Sequence, residues 1–352
     1  YDLGYDELIV ATGAEAVRPS LPGLELDGVF TLRTLQDGAR LKRFLAEAAP
    51  ARAVLVGAGY VGLELVETLT LRGVELTLLE KAPQVLPGFD AHIAARAQDE
   101  LVQHGVRVHT GVGVTGIQRA SGAVLRVDTD AGAFEAELVL VAVGVRPSVA
   151  LAKAAGVGLG ASGAIAVDDH QRTNLAHVYA AGDCAEAQHL VLQKPVWVPL
   201  GTTANKQGKV AGANAVGADE RFGGIVGSAA FKLFDLEVGR TGLGPAELAR
   251  HGIASLRSQS RHRDHAASFG HEHELDTVLY LAPDSGRLLG AQMIGQGVVG
   301  KRIDVYATAL HAGMSVTQLS DLDLTYAPPI APVYDPVLVA ASVAEKALAK
   351  GR

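Results

Sequence analysis

The sequence predicts an α/β protein in which parallel strands alternate with helices, and three observations predict it. Residues 52–81, "RAVLVGAGYVGLELVETLTLRGVELTLLEK", hold an apolar strand, a glycine turn, a helical pattern and a second apolar strand. "ELIVATGAEAVRPS" (7–20) returns as "ELVLVAVGVRPS" (137–148), each copy a strand, a glycine turn and then Arg-Pro-Ser. "TNLAHVYAAGDCAE" (173–186) adds a short strand over 178–181 that runs into Gly182 and Asp183.

The frame for these pieces is a chain of 352 residues, 48% of them hydrophobic, enough to bury large cores. At roughly 100–200 residues per domain that length makes two or three domains. A formal charge of −7 with no basic stripe gives no electrostatic ground for nucleic acid or an acidic membrane surface as partner. Apolar runs such as 138–145 are short against the roughly 20 residues a membrane helix needs. The first residues carry acids instead of the basic start of a signal peptide, so the expected compartment is cytoplasmic. Cys184 is the single cysteine, which leaves no disulfide framework, no paired-cysteine redox motif and no thiolate metal cluster.

Taken in order, the chain opens on an acidic turn, the apolar run Leu8-Ile9-Val10, and Ala11-Thr12-Gly13 as a tight turn off a buried strand. In the 52–81 unit each glycine has a task. Gly57 permits the sharp turn, Gly59 lets backbone approach a pyrophosphate, and Gly62 lets helix and strand pack closely; the helix N-terminus offers amide donors to phosphate. Glu80 ends the second strand 23 residues after Gly57, where a carboxylate accepts hydrogen bonds from a ribose 2′-hydroxyl. The unit is therefore Rossmann-like and expected to bind NADH in preference to NADPH, with NADPH still possible. Asp183, at the carboxyl end of its strand, is placed to hold a sugar or ribityl hydroxyl. "VPLGTTANKQGKVAGANAVG" (198–217) predicts a helix from Ala204 onward with Thr202 or Thr203 as N-cap, its dipole aimed back at the same ligand.

The echo carries a further expectation. Gly144 follows the phosphate-binding Gly57 by 87 residues, so a first copy built alike would need a phosphate loop well upstream of Tyr1. The sequence thus reads as a chain lacking most of a first dinucleotide-binding module.

"DELIVATGA", "GAGYVGLE", "VAVGVRP" and "VYAAGDCAE" in this order resemble the pyridine nucleotide-disulfide oxidoreductases over essentially the whole chain. The segments at 227–243 and 286–341 are similar to the branch with NADH oxidase, NADH peroxidase and CoA-disulfide reductase. That resemblance implies Rossmann-like FAD- and NAD(P)-binding domains, with a small antiparallel sheet, and a C-terminal α+β interface domain. It divides the chain into a remnant of the FAD domain (1–30), an NAD(H) domain (31–146), the second part of the FAD domain (147–220) and the interface domain (221–352). Glutathione-reductase-like members carry a His-Pro acid/base motif near the end. Here Tyr326-Ala327-Pro328-Pro329 stands instead, which favours the branch with one redox cysteine.

By the same resemblance FAD would be served by Thr12, Gly13, Gly182 and Asp183, and NADH by Gly57, Gly59, Tyr60, Gly62, Glu80 and Gly144. Tyr60 would cover the flavin until nicotinamide displaces it, and Glu64 would sit near the flavin's reactive edge. The helix from Ala204 would point at the pyrimidine side of the flavin with Asn205 facing it. Tyr326 would cross a homodimer interface towards the partner's redox cysteine. That cysteine belongs to the first module, and Cys184, beside Asp183, reads better as a small buried thiol. The implied reaction is hydride transfer from NADH to FAD and on to a cysteine centre, reducing a small-molecule disulfide such as CoA disulfide, or peroxide or oxygen. A ferredoxin reductase-type flavoprotein and a non-enzymatic NAD-binding fragment are the competing readings.

One stretch departs from the family. "RHRDHAASFGHEHELD" (261–276) gathers His262, His265, His271 and His273 among acids, with His271 and His273 expected on one face of a strand. A divalent metal site is one reading, and the preferred one is a solvated loop and edge strand with no metal.

Overall fold

In the computed structural model, which describes residues 3–350, the chain divides into two compact units. One comprises residues 1–15 and 145–229, the other 16–144 and 230–352.

The larger unit is built on a five-stranded parallel sheet in the order Val29–Phe30, Leu138–Val141, Arg52–Val56, Glu75–Glu80, Arg107–Thr110. Its central strands are near-continuous apolar runs, as strands covered on both faces require, and Leu55, Leu78, Leu79 and Leu138 are fully buried, while the edge strand Arg107–Thr110 is partly exposed. The Tyr60–Thr70 helix buries Gly62, Leu63, Leu65, Val66 and Leu69, a helical stripe that faces the sheet. The Ala91–Gln103 helix starts where the Asp90 side chain accepts the His92 amide, and it buries Ile93, Ala94, Ala97 and Leu101. A three-stranded meander, Val114–Ser121, Val124–Thr129 and Gly132–Ala136, shares the core of Val54, Val56 and Leu79.

The same unit carries a second, antiparallel five-stranded sheet in the order Ala229–Leu233, Leu236–Gly242, Leu288–Gly295, Glu274–Leu281, Leu256–Arg263. The Val299–His311 and Pro336–Lys350 helices pack on it. A buried charge cluster joins this sheet to the Ala91–Gln103 helix. Asp276, fully buried, accepts from Arg261 at 2.7 Å and faces His92 at 3.2 Å and Arg96 at 2.5 Å. Burial alone would raise its carboxyl pKa, and these three partners hold it below the usual carboxylate range instead.

In the smaller unit Leu8–Val10 runs parallel to Val178–Ala180, and the Gly201–Ala215 helix packs against both strands. The later halves of the two sequence echoes, Ala14–Ala16 and Val145–Pro147, form a two-stranded ribbon with each other. Among the described residues no helix is long and apolar enough to cross a membrane.

The elements differ from the sequence expectation in three places. The strand expected over 178–181 ends at Ala180. The helix expected from Ala204 begins a turn earlier at Gly201, with Leu200 at the N-cap and neither Thr202 nor Thr203 capping it. Thr203 is buried within the first turn, where its side chain packs inward. His271 lies at φ 60° and the strand begins only at Glu274, so His271 and His273 share no strand face.

Candidate functional site

The glycine turn after the Arg52–Val56 strand has the build a dinucleotide needs. Gly57 sits at φ 103°, and a Cβ there would lie 2.5 Å from the Ala142 carbonyl oxygen, so both conformation and space demand glycine. A Cβ on Gly62 would lie 2.2 Å from the Gly57 oxygen, so helix and turn close on each other only without a side chain. Gly59, by contrast, faces open space, with nothing within 4 Å of a Cβ. As N-cap it makes no side-chain cap hydrogen bond, and the first amides of the Tyr60–Thr70 helix are left for a ligand. Gly144, at φ 113°, follows the Ala142–Val143 backbone that packs on Gly57.

Glu80 is buried at the end of its strand and already holds the turn: its carboxylate accepts from Ala58 N and Ala82 N, each at 2.7 Å. Each oxygen keeps a second lone pair, so the residue can brace the glycine turn and still meet a ribose hydroxyl.

The Tyr60 ring makes edge contacts with Phe89 (centroids 5.9 Å apart) and Phe231 (5.3 Å). Burial pushes the Tyr60 phenol up, against the pull of the nearby Arg240 charge. Glu64, one turn on, is exposed, with its carboxyl pushed up by partial desolvation and by Glu67. Lys232 and the Phe234 amide engage Glu67, so the hairpin between the first two strands of the antiparallel sheet grips this helix.

The residues expected to serve FAD come together in the smaller unit. Gly182 is at φ 82°, and a Cβ on it would lie 3.5 Å from the Ala204 Cβ. This sets the turn beside the first turns of the Gly201–Ala215 helix, whose N-terminus carries no side-chain cap. Uncapped amides next to Gly182 and the half-buried Asp183 suit the polar and pyrimidine parts of a flavin. Thr12 donates its hydroxyl to the Ser148 carbonyl at 2.6 Å, Gly13 is at φ 69°, and Asn205 is exposed. Cys184 is fully buried with its sulfur on the Ala181 carbonyl at 3.3 Å, the setting of a packing thiol.

Two supports here escaped the sequence reading. Gln207, fully buried, accepts from Gly182 N at 3.0 Å and donates to the Glu186 carbonyl at 2.7 Å, so it pins the Gly182 turn. Trp197 donates to the Asp183 carbonyl at 2.7 Å. The available signal was polar residues at helical spacing on a buried face: Thr203, Gln207, Asn214.

Tyr326 is half exposed in an irregular segment tied down where the Pro328 carbonyl accepts the Ala266 amide at 3.2 Å. In the histidine stretch, His265 turns one ring nitrogen to Asp264 at 2.8 Å and the other to the Gly270 carbonyl at 2.7 Å. His273 also faces Asp264, at 3.2 Å. Both ring nitrogens of His265 and Nδ1 of His273 are thus engaged within the loop.

A glycine turn of this kind on a parallel sheet, with an antiparallel sheet in the same unit, has the build of a dinucleotide-binding fold. Residues 1–208 match the family model of the pyridine nucleotide-disulphide oxidoreductases, and residues 228–336 match that family's dimerisation domain. The chain belongs to the pyridine nucleotide-disulphide oxidoreductase family, which depends on FAD and NAD(P)H.

It is 36% identical to the NAD(P)H sulfur oxidoreductase (CoA-dependent) of Pyrococcus furiosus, over 96% of this chain and 76% of that protein. It is 35% identical to an NADH oxidase of Methanocaldococcus jannaschii, over 99% and 77%. Among solved structures, reduced Bacillus anthracis CoADR-RHD superposes with a TM-score of 0.95 at 36% identity, over 99% of this chain and 63% of that one. The NAD-dependent persulfide reductase from A. fulgidus gives 0.94 at 37% identity, over 98% and 64%. The chain therefore spans a little under two thirds of these two solved chains.

Proposed function

We propose that this protein is the NADH-binding and interface portion of an FAD-dependent reductase that delivers electrons to a small-molecule disulfide, CoA disulfide above all. The observation that carries the reading is the Gly57–Gly62 turn with Glu80 behind it, in a chain whose relatives bear the names sulfur oxidoreductase, persulfide reductase and CoA disulfide reductase. Overall, NADH, a proton and a disulfide become NAD⁺ and two thiols. When bound, FAD supplies the two-electron relay between nicotinamide and disulfide. Thr12, Gly13, Gly182, Asp183, Ala204 and Asn205 would hold it, with Gln207 and Trp197 fixing the turn. Gly57, Gly59, Tyr60, Gly62, Glu80 and Gly144 would hold NADH, and Glu64 would lie near the reacting edge.

The helix starting at Gly201 would set its positive end against the negative charge that a reduced flavin carries. Cys184, buried among carbonyls, is not assigned the thiol chemistry. The dimerisation-domain match supports a homodimer in which Tyr326 reaches towards the partner's redox centre.

The test is anaerobic titration of the native enzyme. NADH should bleach its flavin colour and CoA disulfide should restore it, with two thiols released per NADH. A flavin that NADH reduces but only oxygen reoxidises would overturn the choice of acceptor. Tyr326→Phe should slow the reoxidation step and leave the bleaching step intact.

A further inference from the structure

We infer that residues 264–273 form a proton-operated clamp on the segment that carries Tyr326, closed while His265 is an imidazolium. The kinetic part of this inference deepens the proposed function and rests on Tyr326 acting in the reoxidation step. The neck of the loop is anchored in the fold. Asp264 donates its amide to the His273 carbonyl at 2.9 Å, its carboxylate accepts the His273 amide at 2.8 Å, and buried Arg302 donates to the Asp264 carbonyl at 2.8 Å. Arg302 is paired in turn with Asp335 at 2.9 Å, so the neck is held whatever charge the histidines carry.

The crown of the loop is tied across by His265. One ring nitrogen lies 2.8 Å from the Asp264 carboxylate and the other 2.7 Å from the Gly270 carbonyl, and the side chain is only 12% exposed. Both partners are acceptors, whereas a neutral imidazole has one N–H and one lone pair. A neutral ring would therefore turn its lone pair on the carboxylate or on the carbonyl, and only the imidazolium suits both. His273 differs: its Nδ1 faces Asp264 at 3.2 Å, and a neutral ring protonated at Nδ1 serves that contact.

The surrounding charges favour the cation. Asp264 and Glu272 are the acids that act on His265; Glu272 is shared with Arg263 at 3.2 Å, Arg302 is turned to a carbonyl and to Asp335, and the Gly297 turn packs on Asp264 with no charge of its own. The Gly270 carbonyl, and with it Asp264 and Glu272, push the His265 ring up against desolvation. Burial would raise Asp264, and the His273 amide and the two histidines hold it below the usual carboxylate range. The closed loop reaches the Tyr326 segment where the Ala266 amide, next to His265, donates to the Pro328 carbonyl at 3.2 Å. A histidine raised in the closed loop favours closure fully below ~6.5, its unfolded value, and that contribution is lost as pH rises through the raised value. The clamp is thus shut in mildly acidic solution and opens towards alkaline pH.

The experiment follows amide hydrogen exchange over 264–273 and 325–331 in the native enzyme and in His265→Gln and His273→Gln, at pH ~6 and ~9, corrected for the intrinsic change in exchange rate. Protection of both segments should fall about fivefold between the two pH values in wild type and in His273→Gln. His265→Gln should show the low protection at both. Wild-type protection that ignores pH, a pH dependence that survives in His265→Gln, or one that vanishes in His273→Gln would overturn the clamp. If His265→Gln does not fold, the wild-type histidine resonances decide alone, and a His265 that titrates at or below ~6.5 defeats the inference. In stopped flow, the ratio of wild-type to His265→Gln rates of flavin reoxidation by CoA disulfide should fall towards unity from the lower to the higher pH, with the NADH bleaching ratio constant. A reoxidation ratio that ignores pH would sever the loop from Tyr326 and overturn that part of the inference. A flavin that CoA disulfide does not reoxidise would instead defeat the proposed acceptor, and the exchange result would then judge the clamp by itself.

Discussion

A Cβ placed on Gly57 would lie 2.5 Å from the Ala142 carbonyl oxygen, whereas one placed on Gly13 would meet no atom within 4 Å. Both glycines end the strand of an echoed sequence segment or follow the strand beside it, and both have positive φ, 103° and 69°. The strand before Gly57 is buried, with Leu55 at 0% exposure, while in the strand before Gly13, Leu8 and Ile9 are 39% and 38% exposed. The turn at Gly57 is therefore fixed by backbone conformation and by close packing, and the turn at Gly13 by conformation and by hydrogen bonds to Ser148, which accepts from the Thr12 hydroxyl at 2.6 Å and donates to the Gly13 carbonyl at 2.9 Å. Both turns place a glycine at positive φ after a parallel strand, but how far each resists change depends on what surrounds it.

The comparison can be pressed hardest at the Gly57 turn. Gly57→Val combines a disfavoured φ with a clash against backbone, and it should weaken NADH binding about 100-fold or more while lowering Tm. An affinity within a few-fold of wild type would show that the turn is not the diphosphate site.

The next effect belongs to the charge cluster that ties the Ala91–Gln103 helix to the antiparallel sheet. Asp276→Ala leaves Arg96, Arg261 and His92 without their common buried partner, and it should cost about 3–5 kcal/mol in denaturant unfolding. In the smaller unit, Gln207→Ala should cost about 1–3 kcal/mol by orphaning the Gly182 amide and the Glu186 carbonyl. It should also loosen flavin retention, read as the flavin-to-protein absorbance ratio, more than any change at Glu80 does.

A pH effect of similar or smaller size comes from Asp90. Burial would raise its carboxyl, but hydrogen bonds from Arg257 and Tyr280 and the His92 amide bring it down to about 2. With an unfolded carboxyl near ~3.9, the resulting stability is fully present above pH ~4 and is lost as pH falls towards 2. Half-exposed Arg257 tempers the gain to about 1–2 kcal/mol, and Asp90→Asn should flatten the acid limb of a stability-versus-pH curve by that amount. The smallest effect is Gly13→Ala, which meets no clash and should cost only about 1 kcal/mol of φ strain, against several for Gly57→Val.

Much of the parallel sheet was legible in the sequence because buried parallel strands write themselves as short apolar runs; in 52–81 the first runs into Gly57 and the second ends at Glu80. The supports of each site were harder to see. Phe231 meets the Tyr60 ring from 171 residues away in the sequence, and no spacing rule connects them. Gln207 sits one turn beyond Thr203 on a buried face, a polar stripe that reads as solvated until the helix is seen packed against the strand pair. The alternation of His271 and His273 suggested a strand, but Gly270 at φ 78° and His271 at φ 60° turn the backbone there and delay the strand to Glu274. At 198–217 the threonines suggest a helix N-cap, and the chain instead starts the helix at Gly201 with no side-chain cap, which leaves its first amides open to a ligand.

The central claim is that the Gly57 turn grips the diphosphate of NADH. Calorimetric titration of the folded protein with NADH tests it most directly, run beside Gly57→Val and Gly13→Ala. The account predicts one NADH per chain, binding nearly lost in Gly57→Val, and wild-type affinity in Gly13→Ala. A folded wild-type protein that takes up no NADH, or a Gly57→Val protein that binds as tightly as wild type, would contradict it.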